Sequence, residues 1–344
     1  GKARQRGFAS RKKAGKTKRR RRRHLFFPST PRANRLRQQA VKRVSAGLRV
    51  GKKAGKTKVR RRRHFGVKKR KGGRQMVDKM AFLKAYNIDE DDFKAADISW
   101  EELAAIYDDY LSKEEKLREI GKDFVNDYLY DIERAGIHSY RYRTKNPGHL
   151  LEKIIRKRKE DPEKFKDLNR NNYYKYMTDL IGIRVFFLYR EDWIYFHKYI
   201  TTVFENDPDI YVKDRGQDFD EDPSHCYIAE RPKVYRRNGD TRIYDEKLID
   251  IKSDGIYRSL HYIIKYKGYY VEIQGRTLFE EGWSEIDHDI VYPYYKDDEM
   301  LKDFSTLLNR LSGMADEMSS YFRRMRSVRE EQGLLTHHSA EDEK

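Results

Sequence analysis

No acidic residue occurs before Asp78, and that boundary decides which part of the chain can fold. Residues 1–75 hold 32 of the 76 Lys and Arg and none of the 56 Asp and Glu, which leaves 44 basic against 56 acidic side chains in the remainder. A segment with so much like charge and so few bulky apolar residues cannot offset the entropy of ordering its backbone, so residues 1–75 are expected to form a disordered basic arm. The formal net charge of +20 therefore describes no single surface. An acidic body follows a basic arm.

Within the arm, "KKAGKTKRRRRRH" (Lys12–His24) recurs as "KKAGKTKVRRRRH" (Lys52–His64), with one difference in thirteen positions. The intervening residues do not repeat, which marks a duplicated segment and not a solenoid. The "AGKTK" within each copy lacks the earlier glycine of a phosphate loop, since Ser10 and Val50 stand there, and no apolar strand precedes either copy. Two readings fit the composition equally. One is an arm that grips RNA or DNA phosphates by counterion release. The other is a reading frame extended upstream of a start at Met76, the first Met. The intact mass of the natively expressed protein separates them.

Cys226 is the only cysteine, which excludes an intramolecular disulfide and a cysteine-rich zinc site. No apolar run approaches the roughly 20 residues needed to span a bilayer, so a cytoplasmic protein without membrane contact is expected. From Met76 the pattern turns globular. In "ISWEELAAIYDDYLSKEEKLREIGKDFVNDYLYDIERAG", Ser99 and Glu102 form a capping box, apolar residues follow at helical spacing, and Gly136 serves as C-cap. "IHSYRYR" reads as a strand and "NPGHLLEKIIRKRKE" as a helix with Pro147 in its first turn. "DLIGIRVFFLY" is a strongly apolar strand, and a helix surrounds "DWIYFHKYITTVFEN". A polar, turn-rich stretch (207–240) leads to a strand in "TRIYDEKLIDIK" and a hairpin in "GIYRSLHYIIKYKGYYVEIQGRT". Two more helices close the body. The expected fold class is α+β: a mixed sheet of about five strands flanked by helices. Its divisions are a helical segment at 76–136, a core at 137–295, a C-terminal helix at 296–332 and a loose tail at 333–344.

Three segments place charge where packing alone would not. Asp179 precedes the apolar strand and Arg184 interrupts it, so Arg184 must find a carboxylate, a phosphate or water. Arg143, Lys145, Lys153, Arg156 and Lys157 gather across a strand, a turn and a helix, where Lys153, Arg156 and Lys157 share a helical face. A solvated basic stripe is the ordinary explanation, but this concentration within an acidic body suits a polyphosphate. The hairpin strand sets Glu272, Gln274 and Arg276 on one face and Val271, Ile273 and Gly275 on the other. Asp179 and Glu272 together could hold Mg²⁺, which favours one or two carboxylates plus substrate phosphates. A basic clamp, paired carboxylates and aromatics at Tyr257 and His261 point to phosphoryl or nucleotidyl chemistry.

Taken together, these segments resemble the RelA/SpoT-type alarmone synthetase domain in its small, single-domain form. "RTKNPGHLLEKIIRK" is similar to the family's ATP-binding segment, "DLIGIRV" to its metal-bearing strand, "YRSLHYII" to its guanine-stacking loop and "VEIQGRT" to its catalytic strand. "GWSEIDHDIVYPY" resembles the helix that follows, and the ordered set spans Arg143–Tyr295. The resemblance implies a nucleotidyltransferase-like fold. It also implies transfer of the β,γ-pyrophosphate of ATP to the 3′-hydroxyl of GDP or GTP. Arg143, Lys145, Lys153, Arg156 and Arg184 would hold ATP. Asp179 and Glu272 would be catalytic and ligate Mg²⁺. Lys252, Tyr257, His261, Gln274 and Arg276 would serve the acceptor nucleotide.

Three departures accompany the resemblance. His149 stands for the family's Ser, Asp254 for its Asn, and Ile256 moves the aromatic one place along. The spaced His and Asp ligands of a hydrolase half are missing, since residues 76–142 contain only His138. Two alternatives stay open: a toxin that pyrophosphorylates the 3′ end of tRNA, and an inactive nucleotide-sensing or RNA-binding module. A homo-oligomer and an antitoxin partner are also left open.

Overall fold

The computed structural model describes residues 78–208, 211, 216, 219–237, 240, 243–255, 257–291 and 298–332. The basic arm, Ile256 and the tail from 333 lie outside them. Two short helices come first, α1 (Lys79–Tyr86) and α2 (Glu90–Ala95), capped by Asp78 and Asp89. The long helix α3 (Trp100–Phe124) starts where Ser99 accepts a hydrogen bond from the Glu102 N–H at 3.0 Å. Only half of the expected capping box closes, because the Glu102 carboxylate accepts from the Arg170 N–H instead. Nor does one helix reach Gly136. A π-helical stretch (Val125–Leu129) ends α3, and Asp131 caps a separate short helix, α4 (Ile132–Ala135), which Gly136 terminates at φ 67°.

After β1 (Ser139–Thr144), Asn146 caps α5 (Pro147–Glu160) by accepting from the N–H groups of Gly148 and His149. Proline at the first helical position needs no donor, so this start is doubly specified. Two short helices, α6 (Pro162–Phe165) and α7 (Tyr173–Tyr176), lead into β2 (Ile181–Phe187), followed by α8 (Trp193–Val203). Next come β3 (Tyr227–Ile228), β4 (Lys233–Arg237), β5 (Asp250–Gly255), β6 (Ser259–Tyr266) and β7 (Tyr269–Thr277). The chain closes with α9 (Leu278–Ile290) and α10 (Glu299–Glu331).

The sheet has seven strands in the order β1-β2-β7-β6-β4-β5, with β3 also on β6. It is mixed, since β2 runs parallel to β7 and β4 to β5 while the remaining pairs are antiparallel. The two strands beyond the expected five, β3 and β4, both fall in the stretch read as turn-rich. They are short, and β4 carries Lys233, Arg236 and Arg237, so neither shows an apolar run.

Directly paired residues on neighbouring strands point to the same face, so the register sorts the side chains. One face runs Tyr142, Ile183, Ile273, Tyr262 across four strands. Helices α3 and α8 cover it: Gly121 of α3 lets the backbones close in, since a Cβ there would lie 3.2 Å from Ile181 and Tyr142, and Phe196 of α8 meets Tyr262 edge-on at 5.6 Å. The other face runs Arg141, Arg184, Gln274, His261, Lys233, with a second row of Arg143, Gly182, Glu272. Apolar packing makes the first face the core. The charged second face holds the candidate site.

Candidate active site

One corner of the polar face is built around Asp179, in the turn before β2. Its Oδ2 accepts from Lys145 Nζ at 2.6 Å and lies 2.9 Å from Lys153 Nζ. Lys145 follows β1 and is held by its backbone: its N–H donates to the Leu180 carbonyl, and its carbonyl accepts from the Tyr110 hydroxyl of α3 at 2.5 Å. Lys153 arrives from α5, about two turns after the Asn146 cap. Burial works to raise the Asp179 pKa, but the two ammonium groups outweigh it and hold the carboxyl well below its ordinary range. The other oxygen, Oδ1, is buried with no hydrogen-bond partner. An idle buried anionic oxygen costs stability until something positive reaches it.

Glu272 on β7 faces the same way. Its Oε2 accepts from Gln274 Nε2 at 2.9 Å, and its Oε1 lies 3.5 Å from His261 Nδ1. Burial raises its pKa, yet the hydrogen bond and charge of His261 prevail and the net direction is downward; the charges of Asp179 and Lys153 also reach it, with opposite signs. Glu272 is thus ionised and fixed at neutral pH. The orienting chain continues outward: Gln274 Oε1 accepts from Arg276 Nη2 at 2.9 Å, and Arg276 in turn bonds Tyr257, Ser259, Ser284 and Glu281.

Between Arg143 and Glu272 the sheet carries no side chain, because Gly182 occupies the paired position on β2. A Cβ at Gly182 would meet only Arg143 atoms, at 3.9 Å. A gap thus opens mid-sheet, bounded by a cation and a carboxylate. Arg143 itself has no carboxylate within ion-pair distance among the described residues, unlike every other expected ATP-side cation.

Arg184 resolves its buried charge on carboxylates of α9, Glu281 at 2.6 Å and also Glu285. Arg156 is not brought to the cluster: it pairs with Glu152 and Glu160 of its own helix at 3.3 and 3.2 Å, and Lys157 also goes to Glu160. The expected basic stripe thus splits, with Lys153 turned into the site and the other two held at the surface. Lys252 stands at the far end of the row that contains Ser259 and Tyr235, mostly exposed and 3.9 Å from Asp250.

At this end the sequence left two features unmarked. Tyr235 of β4 forms an aromatic group with His261 and Tyr257, at centroid distances of 5.0 and 5.7 Å, and the Arg276 guanidinium sits 5.0 Å from the Tyr257 ring centre. Behind it, Arg258 is buried against Asp240 at 3.1 Å and against Asp316 of α10. Asp316 also accepts from the Thr277 hydroxyl at 2.9 Å. This network ties the residue after Tyr257, and the end of β7, to the C-terminal helix. Near Lys145, burial and the charges of Lys145, His288 and Arg143 lower His149 to about 4, so it is neutral beside Tyr86 and His288. The departure at Ile256 lies outside the described residues, and nothing is described of the Asp254 side chain.

Magnesium asks for one or two carboxylates and completes its shell with water and phosphate. The buried, unpartnered Asp179 Oδ1 and the nearby Glu272 carboxylate fit that demand. Among the described residues no group of three or more His, Cys, Asp or Glu could hold a metal, so a cation here would rely on substrate oxygens.

Residues 142–297 match the family model described as "Region found in RelA / SpoT proteins". They form a RelA/SpoT-type synthetase domain. No curated protein matches the chain. Similar solved structures include the small alarmone synthetase 1 from Bacillus subtilis bound to its product pppGpp, 21% identical with a TM-score of 0.40, covering 63% of this chain and 93% of that one. The same enzyme bound to AMPCPP is 19% identical with a TM-score of 0.35, covering 64% and 94%. A GTP pyrophosphokinase family protein from Streptococcus pneumoniae is 20% identical with a TM-score of 0.36, covering 69% and 98%.

Proposed function

We propose that the chain is an ATP-dependent pyrophosphokinase that moves the β,γ-pyrophosphate of ATP onto the ribose 3′-hydroxyl of GDP or GTP. The observation that carries this reading is the polar sheet face. A side-chain-free gap at Gly182 lies between Arg143 and Glu272, with Asp179 offering one idle oxygen beside two lysines. Arg143, Lys145 and Lys153 face a polyphosphate there, and neutralising its charge in a fixed geometry supplies most of the catalysis such a transfer needs. Asp179 and Glu272 would hold Mg²⁺, which when bound polarises phosphoryl oxygens.

The acceptor base rests in the Tyr235, Tyr257 and His261 group, which brings the ribose toward Glu272. Glu272, held by Gln274 and His261, takes the proton of the 3′-hydroxyl as its oxygen attacks the β-phosphorus. The bond from the β-phosphorus to its bridging oxygen breaks, and AMP leaves with the electron pair. Because Glu272 is a weak base, positioning contributes more than basicity. The test offers ATP labelled at the γ-phosphate together with GDP, GTP or deacylated tRNA. Label on guanosine nucleotides is expected, and label on tRNA alone would refute the proposed acceptor.

A further inference from the structure

A single carboxylate oxygen of α10 holds two points of the acceptor group from behind. Asp316 Oδ2 accepts from the Thr277 hydroxyl at 2.9 Å and is ion-paired with the Arg258 guanidinium. Thr277 follows Arg276 on β7, and Arg258 follows Tyr257. Consecutive residues of a strand point to opposite faces, so Thr277 lies behind the sheet while Arg276 lies on the polar face. There the Arg276 guanidinium donates to the Tyr257 hydroxyl and sits 5.0 Å from the ring centre. The contacts close a frame, with Tyr257 and Arg276 in front and Arg258 and Thr277 joined through Asp316 behind.

The rear of the frame is dry. Asp316 and Glu280 are fully buried, and Arg258 and Asp240 nearly so. Asp240 takes Arg258 at 3.1 Å, and Glu280 lies 3.6 Å from Arg258 and pairs with Arg237. Apolar side chains of the same volume stabilise a fold as well as such a buried charge cluster, or better. Asp316 Oδ1, buried with no hydrogen-bond partner, adds a further cost. Stability therefore does not account for Asp316. Attachment of α10 does not account for it either, since Ser320 donates to Glu191 at 2.7 Å and Trp283 of α9 donates to the Ser305 carbonyl at 3.0 Å. The start of α9 is also independent, because Thr277 Oγ1 accepts from the Glu280 N–H while its proton goes to Asp316. We propose that Asp316 is a positioning residue for the acceptor nucleotide, fixing Arg258 and Thr277 and through them the Tyr257 ring and the Arg276 guanidinium. This rests on the assignment of the acceptor base to the Tyr235, Tyr257 and His261 group. Lys145 and Lys153 are held by Asp179 on a separate network, so ATP binding does not depend on Asp316.

Titration calorimetry of the full chain with GDP and, separately, with ATP tests this role. Asp316→Asn keeps the volume of the side chain and removes its charge. Its dissociation constant for GDP is expected to rise about tenfold, while that for ATP stays within about twofold of the wild type. In steady-state turnover KM for GDP should rise alike, with kcat at saturating GDP retained. A purely structural role would weaken both nucleotides together. Where Asp316→Asn does not fold, Arg258→Met combined with Asp316→Leu replaces the ion pair by apolar side chains. That variant should unfold in urea at or above the wild-type midpoint and still lose GDP selectively. Equal loss of both nucleotides, or undiminished GDP affinity in a folded variant, overturns the proposal, as does a wild type that takes up no GDP. A wild type that binds both nucleotides and transfers no pyrophosphate would instead refute the proposed reaction, and the contrast between GDP and ATP would still decide the role of Asp316.

Discussion

The two faces of one sheet differ in what their side chains are for. Ile273 and Glu272 are adjacent on β7, and a single peptide step separates the fully buried core from the candidate site. On the apolar face β1, β2 and β6 contribute residues that α3 or α8 meets, so its energy is spread over many contacts. On the polar face a few groups are held by named partners, and one carboxylate oxygen is left over. A face can be rich in charge and still be ordered if each group has an orienting neighbour. The fold spends stability where it leaves Asp179 Oδ1 and the Gly182 gap open.

Substitutions on either side of that peptide step should separate activity from stability. Glu272→Gln keeps the size of the side chain and removes the base and anion. It is expected to lower pyrophosphate transfer by about 10²–10⁴ while the unfolding midpoint in urea stays near that of the wild type. Ile273→Ala should do the reverse. A cavity under α3 and α8 costs about 2–5 kcal/mol, read from urea unfolding, and the folded fraction should turn over near the normal rate. An Ile273→Ala enzyme that is stable but inactive would break the division between faces.

A second contrast sets two glycines against each other. Gly182→Val fills open space on the polar face and should cost about 100-fold in kcat/KM by misplacing ATP, with little change in stability. Gly121→Val forces a side chain against Ile181 and Tyr142, tight already at Cβ, and should cost about 1–3 kcal/mol with kcat retained.

How much of this was legible in the sequence follows from the range of the signals. The alternation of Glu272, Gln274 and Arg276 with Val271 and Ile273 is local, and it assigned both faces of β7 correctly. Asn146-Pro147 located the start of α5, and the apolar run located β2. What escaped depends on partners far away in the chain. Tyr235 joins Tyr257 and His261 only because β4 pairs with β6, and β4 is too short and too charged to read as a strand. Arg184 has its carboxylates on α9, about a hundred positions on. Helix α10 hides its role because periodicity marks an apolar stripe without saying what it meets. Here the small and polar side bearing Gly313 and Asp316 packs on the body, with Gly313 close against Arg237.

The smallest effect concerns pH and sharpens the same contrast, because His149 belongs to the charged side of the molecule. Its folded pKa of about 4 lies below the ordinary 6.5. The unfolded chain therefore binds the proton more readily, and stability is lost as pH falls from about 6.5 toward 4. His149→Gln should flatten that slope in urea midpoints taken at intervals across the window. Ile273→Ala should lower every midpoint without changing the slope. An unchanged slope in His149→Gln would remove His149 from the pH response.

The most direct test of the account is the identity of the nucleotide released from ATP when the wild-type chain is mixed with ATP, GDP and Mg²⁺. The polar face as described predicts one AMP for each guanosine product, with the new diphosphate on the ribose 3′ carbon by phosphorus–proton correlation NMR. Release of ADP instead, or AMP formed at the same rate without a guanosine nucleotide, would contradict it.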